Sequence, residues 1–138
     1  MKTFKKISVK RAALVLLFLL GAALLYHLLI LTGLIPFQYT WGGRLQNQDE
    51  MIVMESISLG INSFIMVLVA MRSGMIKAFI NLMIMRILCL ILCFIFILNT
   101  LGNLAATEHL EALIFTPVTF ISAILFYRLW MKPDTDVQ

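Results

Sequence analysis

The sequence predicts an all-α fold, a four-transmembrane-helix antiparallel bundle with both termini cytoplasmic, on three observations. Of 138 residues, 62% are apolar and only 13% charged, against about 25% charged in an ordinary soluble domain. The apolar residues gather in four runs of about 20, the length that crosses about 30 Å of hydrocarbon. Lys and Arg stand in short flanks beside those runs, where topology signals belong. The net charge of +4 gives no ground for nucleic-acid binding, since no aromatic-interleaved basic patch accompanies it. Residues 1–138 read as a single integral membrane domain whose first partner is the lipid bilayer.

The basic arm, residues 1–11, holds Lys2, Lys5, Lys6, Lys10 and Arg11. The apolar run from Ala12 to Ile35 follows. A secretory signal has an apolar core of only about 7 to 15 residues and a small-residue cleavage site. This run is longer, and Tyr26-His27-Leu28 is no such site, so a retained first helix is expected over about 12–35. Pro36 removes a backbone donor and ends it. Phe37, Tyr39 and Trp41 alternate with Gln38 and Thr40, which predicts an extended piece at headgroup level with its aromatic edge toward lipid. Gly42-Gly43 predicts a tight turn. Asp49 is the expected N-cap of helix two, with Glu50 in its first turn.

Helix two is expected over about 51–71. The short connection Arg72-Ser73-Gly74 predicts that helix three, about 76–99, packs antiparallel beside it. Gly102 is the expected C-cap. Thr107 is the expected N-cap of helix four, with Glu108 and Glu111 in the following turn. Helix four covers about 111–131, with Pro117 tolerated inside it because neighbouring helices satisfy the freed carbonyl. Residues 132–138 form a polar tail. Nine basic residues fall on one side: the five of the arm, then Arg72, Lys77, Arg128 and Lys132. The other side has only Arg44, and Arg86 lies within helix three. The positive-inside rule therefore sends the Trp41 loop outward.

Glu55 is the residue to explain, because a carboxylate inside a membrane segment marks either function or a buried partner. At about 1.5 Å rise per residue, Glu55 lies roughly 6 Å below the outer boundary, and His27 reaches a similar level on helix one. Arg86 falls near mid-membrane, from where its long side chain reaches outward toward Glu55. Glu55, Ser58 and Asn62 share one face of helix two. Arg86, Cys89, Cys93 and Thr100 share one face of helix three, and Thr119 and Ser122 one side of helix four. Two readings stay open: an ion pair of Glu55 with Arg86 that fixes which helices meet, or a functional Glu55 that binds a cationic group or carries a proton.

The expected pocket comprises His27, Glu55, Ser58, Asn62, Arg86 and Thr119, covered by the loop Trp41-Gly42-Gly43-Arg44. Arg44, after two glycines, either binds an anionic group with the turn's amides or is a solvated arginine. One His beside one Glu is too little for a metal site, and the four-residue spacing of Cys89 and Cys93 is not a redox motif. No catalytic-triad order, phosphate loop or dinucleotide fingerprint occurs, so neither a metal nor a cofactor is expected.

Two strings carry a likeness. Tyr39-Thr40-Trp41-Gly42-Gly43-Arg44-Leu45, followed by Met51, Glu55, Ser58 and Ile61-Asn62, resembles an uncharacterised family of small four-helix bacterial integral membrane proteins. Leu98-Asn99-Thr100-Leu101-Gly102-Asn103, with Ala106 and Glu111 after it, resembles the same family. The resemblance implies topology and not mechanism, with the outward loops and Glu55 as the signature. The functional expectation is a non-enzymatic binding, transport or accessory protein of the bacterial inner (plasma) membrane, acting on a small molecule or beside another protein. Transport would call on a homodimer or a larger membrane partner. The alternatives are an enzyme acting on a lipid or quinone, and a purely structural subunit.

Overall fold

The computed structural model describes residues 7–105 and 109–131. Four helices account for most of them: α1 (Val9–Leu31), α2 (Gln48–Arg72), α3 (Leu82–Leu104) and α4 (His109–Trp130). Each has a span long and apolar enough to cross a membrane. The described residues contain no strand.

Side-chain caps set the helix starts. Ser8 Oγ accepts the Arg11 amide at 3.2 Å, and Asn47 Oδ1 accepts the Glu50 amide at 2.8 Å. Asn47, not Asp49, therefore opens α2, and Asp49 joins Glu50 in the first turn, where acidic groups favour the helix dipole. The largest correction concerns α3. Asn81 caps it through Met83 N at 2.7 Å, so the helix begins at Leu82, six residues after the expected start, because a capping side-chain amide outweighs the apolar character of the residues before it. The helix then runs through Gly102 to Leu104 with Ala105 at its end, so Gly102 is interior and not a cap. Pro117 lies inside α4. The expected cap at Thr107 lies outside the described residues.

Between α1 and α2 the chain is not extended. It curls into two 3-10 turns, Phe37–Tyr39 and Trp41–Gly43. Phe37 O accepts both the Thr40 amide at 3.0 Å and the Thr40 hydroxyl at 2.8 Å, and Thr40 O accepts the Gly43 amide at 2.9 Å. Gly43 closes the turn with φ +70, which glycine adopts at no steric cost.

In the bundle, α1 packs along α2 and against α4, while α3 packs along α4; α2 and α3 touch only sparsely. The expected α2–α3 pairing is thus corrected. Residues 73–81 make a longer connection than Arg72-Ser73-Gly74, and α3 finds its main partner in α4. Neighbours run α2, α1, α4, α3, which leaves α1 and α3 diagonal and an open seam between α3 and α2.

The larger core cluster lies at one end, while Ile30 and Met51 are buried between α1 and α2 at the other. Ala12, Leu16, Val69, Cys89, Phe126 and Leu129 belong to that cluster, all from the half where α2 and α4 finish and α1 and α3 begin. Fully buried Ala12 and Ala13 allow close backbone approach there, as small residues do between helices in lipid. At its tip, Arg72 donates from Nε to Leu129 O at 2.8 Å and from Nη2 to Met131 O at 3.0 Å. Arg86 Nε donates to Trp130 O at 2.7 Å. These guanidiniums sit at the negative pole of α4 and satisfy carbonyls that have no partner within the helix.

Candidate functional site

The opposite end is built around Glu55. Its face of α2 follows the expected register: Glu55 is fully buried, Asn62 is 7% exposed, and Ser58 is half-buried. Glu55 does not pair with Arg86. Arg86 bonds the same terminal turn of α4 that Arg72 does, and Arg72 stands 17 residues from Glu55, about 25 Å along a helix. The expected pairing assumed a helix beginning at residue 76; the start at Leu82 moves Arg86 from mid-membrane into the second turn.

Glu55 instead has two other partners. His27 Nδ1 lies 2.6 Å from Oε2, and Trp41 Nε1 donates to Oε1 at 2.8 Å. Both oxygens are met, as a buried carboxylate requires. Trp41 therefore does not present its polar edge to lipid. Its backbone has φ +56, a costly conformation for a bulky residue, and the bond to Glu55 holds it there. The loop is latched to α2 and the histidine to the same carboxylate.

Above the core lies a cavity of about 510 Å³, within the usual range of ligand pockets. From Leu19 to His27 on α1 it runs over eight residues, about 12 Å. Its lining includes His27, Arg44, Ser58, Asn62 and Thr119, with Trp41 in the loop above. Glu55 and Arg86 are not in that lining. Glu55 stands behind the wall as the residue that positions His27 and Trp41. Arg86 belongs to the far end. Of the expected covering segment, Trp41 and Arg44 reach the lining, as does Thr40 before them.

The polar groups differ in how far they are committed. Asn62 Nδ2 donates to Leu20 O at 2.9 Å, tying α2 to α1 and leaving its Oδ1. Thr119 Oγ1 lies 3.0 Å from Thr100 Oγ1 and donates to Phe115 O at 2.8 Å. His27 offers its second ring nitrogen, Nε2. Arg44 is exposed, and among the described residues no protein acceptor meets its guanidinium. Sequence reasoning missed Asn99 and Asn103, which line the α3 wall. With α3 ending at Leu104 they share a face with Phe96, at i, i+3 and i+7; an end at Asn99 makes Asn99 a terminal residue and leaves Asn103 outside the helix. Asn103 Nδ2 reaches Thr119 Oγ1 only at 3.4 Å. Among the described residues, Asn99 has no side-chain partner.

The cavity opens sideways. Where α2 and α3 fail to close, it is lined by the exposed Ile61 of α2 and Ile95 and Leu98 of α3, with buried Ile65 deeper in the wall. Among the described residues no cluster of three or more His, Cys, Asp or Glu side chains gathers. Comparison with protein-family profiles, curated proteins and solved structures finds no match to the chain.

Proposed function

We propose that the chain is a non-enzymatic binding protein of a bacterial inner membrane, with both termini cytoplasmic, which draws an amphipathic molecule from the bilayer into the cavity beneath the Trp41 loop. One observation carries this reading: a largely apolar pocket that holds a few polar side chains, His27, Ser58, Asn62 and Asn99 among them, and whose α2–α3 side is lined by the exposed aliphatic residues Ile61, Ile95 and Leu98. A water-soluble ligand has no use for such a mouth, whereas a head with a tail fits it, head inside and tail in the seam.

Arg86 at the Arg72 end supports the orientation, since it joins nine other basic residues assigned to that side, against Arg44 alone on the other. The filled core below the cavity leaves no path through a single chain, so a transport role would recruit a second copy or a larger membrane protein. Membership of the small four-helix bacterial family is part of the same proposal. Its two motifs coincide with the lid and with the Asn99 wall. The His27–Glu55 pair favours one alternative, an enzyme that moves a proton on a bound lipid or quinone.

Native mass spectrometry from lipid nanodiscs tests the reading on wild type beside Ser58→Phe, which fills the cavity. A discrete adduct on wild type that is missing from the variant is expected. If both proteins fly bare and equally assembled, the cavity is not a binding site.

A further inference from the structure

Resting on the proposal that the cavity takes a molecule from the bilayer, we infer that this molecule is an isoprenoid quinone, held with one ring oxygen at His27 and the other at Asn99. His27 and Asn99 lie at one depth. His27 lies four residues before the end of α1 and Asn99 five before the end of α3, about 6 and 7.5 Å inside the same face of the bundle. The two helices are diagonal, so the two groups face the cavity from opposite walls at one level. A head with a single polar pole, such as a lone hydroxyl, uses only one of them. A flat ring with oxygens at opposite edges uses both.

The walls between them suit a ring. Tyr26 of α1 and Phe115 of α4 line the cavity with centroids 5.0 Å apart and planes at 58°, and Phe96 and Trp41 line it too. Aromatic faces recognise a flat π-system. An anionic phospholipid head is poorly served: apart from His27, Arg44 on the exposed lid is the only basic side chain in the lining, and the interior offers amides and hydroxyls.

The unspent hydrogen-bonding capacity also fits. Asn99 is exposed at the α2–α3 seam, and an amide without a partner at such a depth is costly in lipid; a ring oxygen accepts its N–H. His27 is committed to Glu55 at Nδ1, and its Nε2 donates when it carries a proton and accepts when it does not. The same nitrogen thus meets a quinone carbonyl or a quinol hydroxyl. The aliphatic seam of Ile61, Ile95 and Leu98 leads the isoprenoid tail into the bilayer.

The chain has two tryptophans, one at the cavity and one at the far end, so Trp130→Phe leaves Trp41 as the sole reporter. Titrating that protein in nanodiscs with decyl-benzoquinone, an efficient quencher of indole emission, is expected to give saturable quenching. Ser58→Phe and Ala23→Leu, two independent ways of filling the cavity, should abolish saturation. His27→Phe should weaken binding about tenfold, the loss of one good hydrogen bond, and His27→Gln should restore part of it. Quenching that rises linearly with added quinone, or is unchanged in both filled variants, overturns the quinone assignment. An adduct of another mass in the native spectra then leaves the cavity as a binding site for a different lipid, whereas bare protein in those spectra removes both proposals.

Discussion

The two ends of the bundle solve the same problem in opposite ways. At the Arg72 end the helices close on Ala12, Leu16, Cys89 and Phe126, and the long cations Arg72 and Arg86 spend hydrogen bonds on backbone carbonyls at the α4 terminus. At the Trp41 end the helices stand apart around about 510 Å³, and the buried carboxyl group of Glu55 holds side chains, His27 and Trp41. In lipid there is no hydrophobic drive for helices to associate, only packing and polar contacts. One end supplies packing and fixes the bundle. The other is then released from that duty and turns polar groups toward a cavity.

The first way to break the comparison is to cut into the packed end. Phe126 is fully buried, its ring 5.1 Å from that of Phe96. Phe126→Ala should destabilise by about 3 kcal/mol, the low end for such truncations, because the transfer part is small when lipid replaces water. Unfolding by SDS in bicelles measures it. An effect under about 1 kcal/mol would mean that the packed end does not hold the bundle.

A double-mutant cycle sharpens the other half. Glu55→Leu leaves the imidazole and the indole N–H without their shared partner and should cost about 2 to 4 kcal/mol, two buried hydrogen bonds and the two polar groups left unmet. Glu55 and His27, in contact, should show a coupling of 0.5 kcal/mol or more, roughly the threshold for interacting pairs. Glu55 and Arg86, at opposite ends, should be additive. Strong coupling of Glu55 with Arg86 would restore the ion pair that the geometry removes.

That pair marks where sequence reasoning stops. Four spans were legible because lipid forces apolar runs of a set length, and the shared level of His27 and Glu55 followed from helical rise alone. The start of α3 was not, because Ile76, Ala78, Phe79 and Ile80 continue the apolar run through backbone that is not helical; only Asn81 announces the helix. A six-residue error at its start then carried Arg86 about 9 Å too deep, and an end set five residues early made Asn99 the last helical residue and put Asn103 outside the helix. The choice of α4 over α2 as the partner of α3 depends on side-chain shape, to which hydropathy is blind. The inward turn of Trp41 depends on Thr40 and on a positive φ, neither of which an alternating aromatic pattern reveals.

The lid gives a smaller effect. At φ +70, Gly43 has room for a methyl group, since the nearest atom to an added Cβ is Gln38 O at 3.8 Å, so Gly43→Ala costs conformation and not space, about 1 kcal/mol. Because the strain falls on the loop that Glu55 latches, Trp41 emission, read in the Trp130→Phe background, should shift toward the red before SDS unfolds the packed end. A single coincident transition would show that lid and core unfold as one.

The smallest effect has the opposite sign. Ala23 lines the cavity and is half-buried, so Ala23→Leu adds methylenes to space that is already there. Cavity filling commonly stabilises by about 0.5 to 2 kcal/mol, and the low end is expected here because an open seam leaves part of the new side chain in contact with lipid. In SDS unfolding of ligand-free protein the variant should match or slightly exceed wild type. Stability and binding then move apart under one substitution, as they must if the Trp41 end is kept open for an occupant. A clear loss of stability would mean instead that the side chains around Ala23 are already in contact and that the two ends are packed alike.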